Sequence, residues 1–289
     1  WSVPFTVTVV PPMPLKPVLT SPVSGLLTNN PTPTLAWNIV AYAASYEIQI
    51  DTTYTFLAPL VQEHTGITEL SHVIDSLPDG KYYWRVRARN VNNAAGAWSA
   101  YRYFSIDTTP PAPPVLTKPL AGSQSIGTPT FTWLASATAK YYQVQYEVDY
   151  PDNDPDTYDY RSPTITTLTH KPAVTPPLLI PIYWQVRAGD AAGNWSEWGS
   201  FWNVTVVPPP PGQPTLITPV SNSTLEGTYL RVSWNPVDYA VWYYVEVSYD
   251  PNFESPYYYW SEPYANQVLV GPLSQRKYYI RVIAFNING

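Results

Sequence analysis

The chain of 289 residues contains no cysteine. Disulfides and thiolate chemistry are excluded, so packing and hydrogen bonding must hold the fold. Charge is scarce as well. Fifteen Lys and Arg stand against 21 Asp and Glu, 12% of the residues, with a net charge of −6. A basic footprint for nucleic acid is absent. No apolar run approaches the ~18 residues of a membrane-spanning helix, so no membrane insertion is expected. Helical periodicity is nowhere sustained, and 34 prolines among many β-branched residues oppose it. His64, His72 and His170 are isolated, without an H-x-x-x-H metal spacing. Nucleophile elbow, phosphate loop and dinucleotide fingerprint are all missing. The chain therefore reads as non-enzymatic and in need of no cofactor.

Aromatic residues are abundant, at 15%, with 25 Tyr and 12 Trp. Low charge with much Pro can signal disorder, but this aromatic and β-branched content argues for packed sheets. One unit recurs along the chain. "LAW", "FTW" and "VSW" end at Trp37, Trp133 and Trp234. "SYEIQI", "YYQVQY" and "YYVEVS" follow, then "YYWRVRA", "IYWQVRA" and "YYIRVIA", which align at Tyr83, Tyr183 and Tyr279. All alternate apolar with polar residues, the period of strands with one buried face. Proline-rich joints, "VVPPMPLKP", "DTTPPAPP" and "VVPPPPGQP", separate the units. Pro lacks the donor that sheet pairing needs and favours stiff extended geometry.

The unit resembles the fibronectin type III domain, an immunoglobulin-like β-sandwich of seven strands. The resemblance rests on the Trp of the second strand (Trp37, Trp133, Trp234) and on a tyrosine corner. Leu77 and Leu273 lie six residues before Tyr83 and Tyr279, the corner spacing, while Pro177 replaces the Leu of the middle copy. It implies an all-β fold of tandem sandwiches: residues 13–110, 111–209 and 210–289. The joints "DTTPPAPP" look like those of bacterial surface proteins.

Residues 1–12 belong to none of these units. Copies one and two continue past their penultimate strand through a turn, a Trp-Ser pair and a last strand. Copy three reads "FNING". Joined to the start of another copy it becomes "FNINGWSVPFTVTVVPP", and the "VTVVPP" of Val7–Pro12 recurs at Val204–Pro209. Trp1 to Trp98 and Trp98 to Trp195 both span 97 residues; Trp195 to Trp1 of a following copy, counted as position 290, spans 95. Phe5, Val7 and Val9 alternate with Thr6, Thr8 and Val10, so one set should face a core. Burying three such side chains is worth roughly 5–9 kcal/mol as an upper bound, against a domain stability of typically ~5–15 kcal/mol. A sandwich without that strand also leaves an edge of unpaired backbone groups. Residues 1–12 are thus expected to complete the third-type sandwich of a neighbouring unit. Either separate chains donate the strand head to tail, or the sequence is one period of a longer tandem array. Both make a fibre that advances on the order of 100 Å per chain, since a ten-residue strand is ~33 Å long. The expected partners are copies of the chain itself, with surface glycans or other cells beyond them, in an extracellular or cell-surface setting.

Smaller signals remain. "WSEWGS" at 195–200 looks like the Trp-Ser-x-Trp-Ser motif of cytokine receptors. The paired cysteines of that family are missing, so a structural ladder is the better reading: Arg187 on Trp195 or Trp198, and Arg85 or Arg87 on Trp98. Aromatics beyond core needs (Tyr257–Trp260, Tyr101–Tyr103, Tyr150, Tyr158, Tyr160) suit interfaces or sugar stacking. The sugar option supports an alternative function, a spacer or carbohydrate-binding array of a secreted polysaccharide-degrading enzyme. Asp152, Asp154 and Asp156 alternate in "DYPDNDPDTYDY"; they offer oxygens for Ca²⁺ or make a solvated acidic turn, and the EF-hand pattern fails. Asn194, Asn203 and Asn222 head glycosylation sequons, with Asn194 and Asn222 in expected turns.

Overall fold

The computed structural model describes residues 1–149, 159–262 and 264–288. Its regular elements are all strands. The first unit holds β1 (Leu19–Ser21), β2 (Leu26–Thr28), β3 (Thr34–Trp37), β4 (Ser45–Asp51), β5 (Gln62–Ile67), β6 (Ser71–Val73), β7 (Gly80–Arg89) and β8 (Arg102–Ile106). They form two sheets, β1-β3-β6 and β2-β8-β7-β4-β5. Alternation along β7 decides its faces: Tyr82, Trp84, Val86 and Ala88 are buried, and Tyr83, Arg85, Arg87 and Arg89 point outward. Leu19, Leu35 and Trp37 of one sheet pack against Ile48, Trp84 and Phe104 of the other.

The second unit repeats this plan with β9 (Leu116–Lys118), β10 (Ser123–Ile126), β11 (Phe131–Trp133), β12 (Tyr141–Val148), β13 (Tyr160–Arg161), β14 (Thr169–His170), β15 (Pro181–Gly189) and β16 (Trp202–Val207). Its sheets are β14-β11-β9 and β10-β16-β15-β12-β13. The third unit holds β17 (Leu216–Thr218), β18 (Leu230–Trp234), β19 (Trp242–Ser248), β20 (Tyr257–Trp260), β21 (Gln267–Val270) and β22 (Tyr279–Phe285). Here both sheets have three strands, β17-β18-β21 and β20-β19-β22. Each unit has its own apolar cluster.

One contact recurs in all three. Trp37–Tyr46, Trp133–Tyr142 and Trp234–Tyr243 pair with ring centroids 5.3, 5.7 and 5.0 Å apart, tilted by 56°, 55° and 56°. Each Tyr hydroxyl accepts from a backbone N–H six residues back, at Val40, Ser136 and Val237. A buried ring thereby keeps its polar end satisfied.

The tyrosine corner falls one residue earlier than the sequence spacing places it. Tyr82, not Tyr83, is buried, and its hydroxyl donates to the Pro78 carbonyl at 2.9 Å. Tyr278, not Tyr279, holds the equivalent place, its hydroxyl accepting from the Ser274 N–H at 3.2 Å. In the second unit that position is Ile182, which has no hydroxyl. Tyr82→Phe is expected to cost the first unit about 1 kcal/mol, and Tyr83→Phe less than about 0.5 kcal/mol; urea denaturation of the two variants checks the difference.

Each unit also grips the proline joint that precedes it. The Asn90 amide donates to the carbonyls of Pro11 and Pro12, and the Asn286 amide to those of Pro208 and Pro209. In the middle unit Asn194 donates to the Asp107 carbonyl at 2.8 Å. Gly96 is needed at the first of these joints, because a Cβ there would lie 2.3 Å from the Pro14 oxygen.

Candidate functional site

The site is the free side of β22. In the first two units the corresponding strand is covered: Tyr82 faces Phe104 of β8, and Ile182 faces Val204 of β16. Among the described residues β22 pairs only with β19. Packing shows the consequence. Trp84 and Trp184 are 0% exposed, while Ile280, which stands at the same position of β22, is only half-buried. Tyr278 is likewise half-buried where Tyr82 and Ile182 are enclosed.

A second strand is affected. β2 runs parallel to β8, and β10 parallel to β16, each entered from a glycine at positive φ, Gly25 or Gly122. Their N–H groups donate to Tyr103 and Asn203 carbonyls on the covering strand. The third unit keeps the entry turn, with Asn222 at φ 62°, but residues 223–226 after it form no strand. In the first two units this edge strand draws its hydrogen bonds from the strand beside it, β8 or β16.

Residues 1–10 carry the matching pattern and have no regular structure. Phe5, Val7 and Val9 are 91%, 84% and 88% exposed. The counterparts of Val7 and Val9 in "VTVV" of β16, Val204 and Val206, are 1% and 0% exposed, and that of Phe5, Trp202, is half-buried. An apolar alternating segment and an unpaired strand edge are therefore both exposed in this chain.

The outer face of the same sheet carries the cationic ladder. Arg85 lies between Phe56 at 4.2 Å and Trp98 at 4.5 Å, and Arg87 lies 4.4 Å from Trp98. Arg187 is held between Trp195 at 4.7 Å and Trp198 at 4.8 Å, with Arg161 5.3 Å from Trp198. Backbone hydrogen bonds equate Trp98 with Trp198, not with Trp195 as equal spacing suggests. Ser99 and Gly199 donate to Val86 and Val186, and Gly96 and Ser196 to Ala88 and Ala188. Trp195 is an added ring over Gly189, whose Cβ would meet it at 3.0 Å. In the third unit Arg281 pairs with Glu246 and lies 4.3 Å from Phe253, while half its side chain is exposed.

Glu47 is the buried anion of the first ladder, bonded to Arg87 at 2.7 Å and Arg89 at 2.8 Å. Burial opposes its ionisation, but the two arginine hydrogen bonds outweigh burial and hold its carboxyl below the ordinary range. A depressed carboxylate contributes stability above its unfolded pKa and loses it as pH falls through the folded value. The second unit has neutral Gln143 in that role, accepting from Arg187. The first unit should therefore lose thermal stability faster than the second on acidification below pH ~4.5, and Glu47→Gln should remove the difference; calorimetry across that range reads it.

Other sequence candidates are placed as follows. Asp152, Asp154 and Asp156, with Tyr150 and Tyr158, lie outside the described residues. Among the described residues no three His, Asp or Glu side chains converge on a metal-holding geometry. Asn194, in its expected turn, is nevertheless buried, its amide donating to Asp107 and Asp190. Asn203 is half-buried on β16 and accepts from Gly122. Asn222 is exposed. Tyr160 stacks between Tyr146 and His170. Exposed Tyr54 and Tyr101 and half-buried Tyr83 form a group with centroids 5.7–6.2 Å apart. No described helix is long and apolar enough to cross a membrane.

The chain is all-β, and its units are fibronectin type III-like β-sandwiches. The strand order and the repeated Trp–Tyr pairs carry that statement. No family model matches the sequence, and comparison with curated proteins gives no match. Among solved structures the chain is similar to the chicken CNTN1 FN1–FN3 domains, at 20% identity over 96% of this chain and 94% of that one, with a TM-score of 0.29. It is also similar to the fibronectin(III)-like modules of Clostridium thermocellum CbhA, at 12% identity over 66% and 94%, with a TM-score of 0.40.

Proposed function

We propose that the chain is a non-enzymatic structural repeat of an extracellular or cell-surface fibre, joined head to tail by strand completion. The observation that carries this reading is the pairing of two unsatisfied features: the open side of β22, and the exposed Phe5–Val7–Val9 face. An uncovered edge invites another strand. Because donor and acceptor are different surfaces of one chain, the contact is heterologous and propagates without closing. Separate subunits and one long tandem polypeptide fill the gap with the same residues. The mass of the native protein after full denaturation separates them: 32.5 kDa supports strand donation, and a much larger mass supports the array. A second reading, a spacer or carbohydrate-binding array of a secreted enzyme, draws on the Tyr54–Tyr83–Tyr101 group, of which Tyr54 and Tyr101 are exposed. Glycan-array binding that is lost in Tyr101→Ala would support it, and absence of any binding would remove it.

A further inference from the structure

Strand completion, on which this inference rests, leaves open how the strand is held in one position. We propose that residues 1–10 of a second copy enter in a single register, set by Trp1 closing over Arg281 and Ser2 bonding to Val282.

The first unit supplies the pattern. Phe56, at φ 52°, and Trp98 both lie against Arg85, with ring centroids 4.2 and 4.5 Å from its guanidinium carbon. Beside Trp98, the Ser99 N–H donates to the Val86 carbonyl at 2.8 Å, and the Ser99 hydroxyl accepts from the Val86 N–H at 3.1 Å. In the third unit Phe253, at φ 57°, lies against Arg281, its ring centroid 4.3 Å away. Val282 follows Arg281 as Val86 follows Arg85. No described Trp lies against Arg281, half of whose side chain is exposed. Trp1–Ser2 repeats Trp98–Ser99, and each Trp stands six residues before the residue that fills the core, Val7 or Phe104.

The ladders of the complete units then fix every pair. Ile182 opposite Val204 places Val7 opposite Tyr278, Tyr183 opposite Asn203 places Thr6 opposite Tyr279, and Trp184 opposite Trp202 places Phe5 opposite Ile280. Ser123 beside Val204 and Ile126 beside Val207 place residues 223–226 alongside residues 7–10. Asn222 gains the Thr6 carbonyl, as Gly122 has that of Asn203. The incoming strand therefore orders two edges at once. A one-residue slip would turn Phe5, Val7 and Val9 outward, and a two-residue slip would take Trp1 and Ser2 off Arg281 and Val282.

Engineered cysteines test this in a chain that has none of its own. Chains carrying Thr6→Cys are mixed with chains carrying Tyr279→Cys under mild oxidation. A disulfide-linked pair of chains is expected, because opposed residues of antiparallel strands lie within bridging distance. Thr8→Cys with Tyr279→Cys should give none. Efficient bridging at 8/279 would overturn the register while leaving strand completion standing. No bridge in either pair, with no association by light scattering, would overturn both. Trp1→Ala should weaken association about five- to thirtyfold. Combined with Arg281→Gln, the substitution that the second unit carries naturally as Gln185, it should weaken association no further than Trp1→Ala alone. Fully additive losses would overturn the Trp1–Arg281 anchor.

Discussion

Chains carrying Val7→Asp together with Val9→Asp are expected to remain single in solution, at 32.5 kDa, whatever the concentration. Val204 and Val206 show the depth at which these two side chains would sit, at 1% and 0% exposure. Burying each Val is worth about 1.5–3 kcal/mol, so losing both weakens association by about two to four orders of magnitude. Two carboxylates forced into an apolar gap add a desolvation cost with no partner to offset it. Thr8→Asn is the control. Thr205, its counterpart, lies on the outer half-exposed face, so that variant should assemble like the parent. Comparison of the two by analytical ultracentrifugation separates core filling from a general effect of altering the segment.

The largest stability loss is expected from Trp184→Ala. Trp184 is fully buried and stacks on Phe131 at 4.6 Å with an 18° tilt, with Trp202 edge-on at 6.3 Å. Removing such a ring costs roughly 3–5 kcal/mol, because the cavity it leaves collapses only in part. That is a large share of the ~5–15 kcal/mol that holds a domain together. The second unit should lose most of its stability, and the first unit, whose cluster shares no residue with it, should be unchanged. Denaturation followed by hydrogen exchange unit by unit reads both effects.

The strand phases were legible because alternation is a direct imprint of a two-faced sheet: β7 and β15 carry it along their length, and β22 carries it as far as Val282, beyond which apolar Ile283 and Phe285 stand on the outward phase. The difference between the third copy and the other two was legible for another reason: three copies stand side by side, so the uncovered side of β22 shows against β7 and β15, which β8 and β16 cover. Three details were not. "KYYWRV" offers two adjacent tyrosines, and counting from Leu77 selected Tyr83. Only the phase shared by Tyr82, Trp84 and Val86 tells which ring goes in. "WSEWGS" offers two tryptophans, and the Trp-Ser likeness selected Trp195, while the backbone bonds select Trp198. The burial of Asn194 depends on the joint preceding its unit, 87 residues away in sequence, which no local pattern reports. At the candidate site, Phe5, Val7 and Val9 came from alternation alone. The half-covered Arg281 did not, because its covering ring, Phe253, is brought to it by a turn at positive φ.

The most direct measurement is the molar mass of the intact chain in solution as concentration rises, read by light scattering. Open-ended growth in steps of 32.5 kDa, suppressed by an excess of free peptide spanning residues 1–12, is the predicted result. A chain that stays at 32.5 kDa at every concentration, with the amides of β22 as protected from exchange as those of β7 and β15, would contradict the account.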